Sequence, residues 1–165
     1  PMKKQLTALA LSALLFAAAA SGCNQTETNT SAQQDPDPAA LASALLEGGS
    51  FDAQLSETDQ QAAMTVLGLD PEQVDQCTAY MGTGATPEEV AVIRATDASA
   101  AKEVAQDLDA HLQQLESDYA SYAPDEVPKI QKAVVEVKGR TVVLCVSADS
   151  QQAEKLLEDA GATQD

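Results

Sequence analysis

The spacing of apolar positions changes several times along the chain, and each change predicts an element. Leu41, Leu45 and Leu46 share one helical face after Asp37-Pro38, an N-cap followed by proline at the first helical position, and Gly48-Gly49 stops the run. Ala62, Ala63, Val66 and Leu67 recur at three- and four-residue steps up to Gly68. They predict a helix opened by the capping-box-like residues Ser56 to Asp59, with Leu69 making the closing hydrophobic contact. Over 74–81 the period falls to two: Cys77, Ala79 and Met81 alternate with Gln76, Thr78 and Tyr80, which predicts a strand. A second strand follows at 89–96, and the glycine-containing loop between them argues a hairpin. Over 98–122, Val104, Leu108, Leu112, Leu115, Tyr119 and Tyr122 fall on one stripe and predict a long amphipathic helix, capped by Asp97 and ended by Pro124. Residues 133–137 and 141–147 read as two strands joined at Lys138-Gly139-Arg140, the second nearly all apolar and therefore central in a sheet. Asp149 caps a last helix carrying Ala153, Leu156, Leu157 and Ala160, and Gly161 closes it.

Two hairpins around one long helix, without strand–helix–strand alternation, predict a single small α+β domain. Its antiparallel sheet has about four strands and is covered on one face by the long helix and shorter ones.

The N-terminus has a different pattern. Pro1 stands ahead of Met2; Lys3 and Lys4 make a positive start, and residues 6–20 are almost all apolar or small. Fifteen residues make about 22 Å of helix, short of the ~20 residues that span a bilayer, so this is a signal-peptide core. It ends in Ala20-Ser21-Gly22-Cys23, which resembles the lipobox of bacterial lipoproteins, with Ala20 where that pattern prefers Leu. The resemblance implies a diacylglyceryl group on the Cys23 thiol, loss of residues 1–22, and an anchor on the outer face of the cell membrane. Residues 24–37, NQTETNTSAQQDPD, are too polar to enter a core and read as an acidic tether of roughly 20 Å r.m.s. reach. The expected organisation is signal peptide 1–22, lipidated Cys and tether 23–37, short helix and linker 38–50, compact domain 51–161 and tail 162–165.

Composition narrows the chemistry. Nine Lys and Arg stand against 26 Asp and Glu, a net charge of −17, with 3% aromatic residues. Nucleic-acid binding needs clustered cations and stacking platforms, so DNA and RNA are not expected partners. Loss of Lys3 and Lys4 leaves seven basic residues and a net charge of −19, which keeps the domain off anionic lipid heads and leaves the acyl chains to hold it.

Three segments carry a further resemblance: YMGTGATPEEVAV at 80–92, YAPDEVPKI at 122–130 and GRTVVLCVS at 139–147. They resemble, in the same order, the bacterial lipoprotein family called domain of unknown function 4358, over roughly residues 51–160. The resemblance implies a lipoprotein signal and supplies no catalytic residues.

The candidate sites each have a structural competitor. Gly82-x-Gly84 offers backbone N–H groups to an anion, but a phosphate loop wants a Lys and a following helix, and a hairpin turn explains the glycines. His111, the one histidine, sits at the edge of the apolar stripe without a sequence-near second ligand, so no metal or other cofactor is expected. Asp107 and Asp109 are two apart and do not share a helix face. Cys77 and Cys145 leave two readings open, a disulfide permitted outside the membrane or two buried thiols. Ser147-Ala148-Asp149 lacks a nucleophile elbow and a paired His. Tyr119, Tyr122, Pro124 and Val127 could line a contact surface on the rim of the domain, as Tyr is common at binding hot spots. The expected function is a non-enzymatic, membrane-anchored binding or adaptor module for another envelope component. The alternatives are an envelope enzyme with a carboxylate and Tyr site, or an accessory solute-binding lipoprotein.

Overall fold

Residues 35–162 are described by a computed structural model; Cys23 and the leader lie outside the described residues. The Asp37 carboxylate accepts a hydrogen bond from the Ala40 N–H at 3.1 Å and starts α1 (Pro38–Gly48), which buries Leu41, Ala42 and Leu45. The Asp35 carboxylate meets the Arg140 guanidinium at 2.9 Å, so the chain reaches α1 already fastened to the domain.

The expected helix start at Ser56 is corrected by the structure. Ser56–Thr58 forms a short strand, β1, paired antiparallel with Ala79, Tyr80 and Met81. The N-cap is Asp59, whose carboxylate oxygen accepts from the N–H groups of Gln61 at 3.0 Å and Ala62 at 3.2 Å. Pairing on a sheet edge satisfies the backbone of 56–58 better than one more turn of helix would, a choice local propensity cannot see. Helix α2 (Gln60–Leu67) then ends at Gly68 in the left-handed region, with the Leu69 N–H returning to the Met64 carbonyl at 2.9 Å and Leu69 itself buried.

A 3-10 turn at Pro71–Gln73 leads into β2 (Val74–Met81), which pairs with β3 (Glu89–Ala95) across the loop at 82–88. Asp97 caps α3 (Ala98–Tyr122) through the N–H groups of Ser99 and Ala100. After Pro124 comes a second 3-10 turn, Pro124–Glu126, and one short helix, α4 (Val127–Gln131), in a segment where no periodicity predicts one. Strands β4 (Val134–Lys138) and β5 (Thr141–Val146) form the second hairpin, with Lys138 opposite Thr141 and only Gly139 and Arg140 in the turn. Gly139 supplies the positive φ that a two-residue turn needs. Helix α5 (Ser150–Ala162) closes the described chain, and the Asp149 carboxylate accepts from the Gln152 N–H at 3.2 Å.

The fold is the expected α+β domain, with a fifth strand added and with helices on both faces of the sheet where cover on one face was expected. The sheet order is β1-β2-β3-β5-β4 and every neighbouring pair is antiparallel. Strand β5 joins the hairpins by pairing with β3, Ala91 opposite Leu144 and Val92 opposite Val143. Side-chain alternation then sorts the two strands. Ala91, Ile93, Val142 and Leu144 face a core with α2, α3 and α4; Val90, Val92, Val143 and Cys145 face a second core with α1 and α5. Cover on both faces is why β5 is apolar at nearly every position. Among the described residues no helix is long and apolar enough to cross a membrane.

Candidate functional site

Two successive carboxylates, Glu88 and Glu89, stand at the start of β3, and alternation sends them to different surroundings. Glu88, just before the strand, is fully buried. Its carboxylate accepts from the Asp52 N–H at 2.9 Å, the Ala53 N–H at 2.7 Å and the Thr86 hydroxyl at 3.4 Å, and pairs with the Lys129 ammonium of α4 at 3.2 Å. Lys129 also meets Asp52 at 2.7 Å and Glu126 at 2.8 Å. Burial alone would lower the Lys129 pKa, but the hydrogen bonds its ammonium donates to Asp52, Glu126 and Glu88 outweigh it and hold it above its ordinary value. The cluster ties the 52–53 segment, the 82–88 loop and α4 together at one end of the sheet.

Glu89 turns toward α3, where its Oε1 lies 2.7 Å from Nε2 of His111. The two side chains are only 7% and 10% exposed. Burial works against the imidazolium, while the Glu89 hydrogen bond, its charge and the Val66 backbone raise the His111 pKa above 6.5 on balance.

The loop at 82–88 is pinned from above. Tyr119 and Tyr122, one turn apart on α3, pack with ring centroids 4.8 Å apart. Both hydroxyls donate to the Gly84 carbonyl, at 2.8 Å and 3.2 Å. Gly84 has φ +89°, which presents that carbonyl to α3 without strain. Burial, the Tyr122 hydroxyl and nearby carboxylates push the Tyr119 phenol up. Between the loop, α2 and α3 lies a cleft of about 150 Å³. Its walls include Val66, Met81, Leu115 and Tyr119, with Glu89 and His111 among its polar lining.

A wider hollow of about 430 Å³ lies between α4 and the start of α5, with Lys129, Lys132, Ser147 and Asp149 on its walls. Its charges are largely committed: Lys129 to three carboxylates, and Asp149 to the α5 backbone.

Of the four residues expected at a contact surface, the structure separates three roles. Tyr119 is buried in the core and lines the cleft; Tyr122 is 60% exposed beside it. Pro124 is exposed in the turn beyond α3, and Val127 packs half-buried against the core. The disulfide reading for Cys77 and Cys145 is overturned: both thiols are free and buried. Cys77 belongs to the core on the α3 side of the sheet and Cys145 to the core on the α1 side, so the sheet itself stands between them. Burial pushes each thiol up to about 11, away from the thiolate a nucleophile requires. Among the described residues no three His, Cys, Asp or Glu side chains gather as a metal cluster.

The residues that sequence reasoning missed are Glu88, Glu89 and Lys129. Acidic residues ahead of an apolar strand read as a solvated flank, and the partner of Glu88 lies 41 positions away. His111 was legible as a boundary residue, but its partner in β3 was not.

A family model described as Domain of unknown function (DUF4358) matches residues 49–147. No curated protein and no solved structure matches the chain.

Proposed function

The chain belongs to the family of the domain of unknown function DUF4358, and on that premise we propose that it is a non-enzymatic binding module, held to the outer face of the cell membrane by a lipid on Cys23. The observation that carries the binding reading is the cleft under the 82–88 loop. It is concave and combines apolar walls at Val66, Met81, Pro87 and Leu115 with polar groups at Thr86, Glu88, Glu89, His111 and Tyr119, as recognition sites do. A paired-carboxylate enzyme of the glycosidase kind needs both of its carboxylates within reach of the substrate. Glu88 instead has two backbone N–H groups and Lys129 on it, which favours binding over acid–base chemistry. The anchor rests on the leader sequence, whose apolar core stops at a small-residue run before Cys23. The ligand or the envelope protein that fills the cleft would approach from outside the membrane.

Labelled palmitate fed to cells expressing the full chain tests the anchor. The label is expected on the protein and lost in Cys23→Ala, with the variant released from the membrane fraction. Label retained in the variant, or absent from both, overturns the anchored reading.

A further inference from the structure

His111 is the one imidazole of the chain, and it stands where three elements meet. It belongs to α3 and lines the cleft together with Val66 and Glu89. Its Nε2 lies 2.7 Å from Oε1 of Glu89 at the start of β3. Its second hydrogen bond goes to the backbone of Val66, the penultimate residue of α2. That bond favours the charged ring, so its acceptor is the Val66 carbonyl. Carbonyls of a last helical turn have no donor inside the helix, and they form the negative end of its dipole. The Gly68 and Leu69 N–H groups return to Met64 and Thr65, which leaves the Val66 carbonyl without a backbone donor among the described residues. Helix α2 has no basic residue in its own last turn, and His111 brings one to it from α3.

Both partners of the ring are acceptors, since neither a carboxylate nor a carbonyl oxygen can donate. An imidazolium has two N–H groups and satisfies both. A neutral imidazole has one, and its other nitrogen turns a lone pair toward an acceptor. We infer that His111 is a proton-operated clasp on the cleft: protonated, it ties the end of α2 and the start of β3 to α3, and neutral, it releases one of them. The other groups around the ring leave this work to Glu89 and Val66. Glu88, from the 82–88 loop, is spent on Lys129 and two backbone N–H groups. Asp107, one turn earlier on α3, lies in the field of Asp70 and Glu103. Tyr119, two turns later, donates to the Gly84 carbonyl. Helix α2 carries no ionisable side chain, and β2 gives the cleft Met81. Resting on the reading of this cleft as a binding site, the clasp makes capture depend on pH: the shaped cleft is held at low pH and loosened as pH rises.

NMR of the full chain, titrated from about pH 5 to about pH 10 with no ligand added, tests the clasp. The single imidazole gives one ring titration. Both ring nitrogens are expected to carry protons at pH 6.5, and the amide signals of Leu67, Gly68 and Glu89 are expected to shift with the ring's own midpoint. Glu89→Gln keeps an acceptor and removes the charge, and should move the ring midpoint down. His111→Gln should erase the shared titration at Leu67 and Gly68. A ring that titrates while Leu67 and Gly68 stay still is tied to Glu89 alone and overturns the clasp. A ring already neutral at pH 6.5 overturns it as well. Should either variant fail to fold, the shared midpoint in the unaltered chain decides by itself. No ligand enters the measurement, so its failure strikes the clasp and leaves the cleft standing as a binding site.

Discussion

Glu89 and His111 show how much of this molecule is decided by single partners. The two meet at 2.7 Å from elements 22 residues apart, and the pairing raises the imidazole pKa against its own burial. A histidine whose folded pKa exceeds its unfolded value binds its proton more tightly when folded. Its contribution to stability is fully present below the unfolded value of 6.5 and is lost as pH rises through the higher folded value. Urea midpoints of the full chain should therefore fall as pH is raised from about 6 to about 9, and His111→Gln should flatten that part of the slope. A slope unchanged in the variant would place the pH dependence on other groups. Glu88 shows the same dependence on a partner. Removing one partner from a buried charge pair of this kind costs roughly 3–5 kcal/mol, because the remaining charge and its backbone donors are left unpaired. None of these pairings was legible in the sequence, since nothing local distinguishes an acid that will meet Lys129 or His111 from one that will meet water.

At the scale of elements the sequence was far more readable. The β2 strand and α3 occupy the positions their periods predict, because each satisfies its backbone internally or with an adjacent hairpin partner and buries one regular face. Helix ends were readable for the same reason: Asp37, Asp97 and Asp149 act through the first turn that follows them. Gly68 is the clearest case. It ends α2 at φ +70°, and a Cβ there would meet nothing within 4 Å. Gly68→Ala should therefore cost about 1 kcal/mol from backbone strain alone, with no packing loss, measured as a lower urea midpoint at unchanged m-value. A cost several times larger would show that the turn also serves the neighbouring cleft. Readability failed at 56–58 and at 127–131. There the chain is too short to show a period, and the deciding contacts lie on β2 in one case and α3 in the other.

For the whole molecule the decisive feature is that both sheet faces are covered. The family match begins at residue 49, after α1, yet α1 buries Leu41, Ala42 and Leu45 over Val90, Val92 and Cys145. Helix α1 is thus part of the core rather than a linker. Leu45 is 1% exposed, and Leu45→Ala should cost roughly 2–5 kcal/mol. Equilibrium urea unfolding provides the measurement; a loss below about 1 kcal/mol would mean that the second core collapses around the gap.

The features readable along the chain are local: the periods of two and of three to four, the aspartate caps, the glycine turns, and from these the α+β class. Each follows from free energies settled within a few residues, so each can be read along the chain. Contacts between distant segments fix which hairpin edges meet, which face of β3 and β5 each helix covers, and the parting of Cys77 from Cys145 by the sheet. The same holds for the cleft, whose walls come from α2, the β2–β3 loop and α3. Those outcomes depend on register and on pairing between distant segments. A shift of one residue in a strand reverses every side chain on it without changing a single local preference.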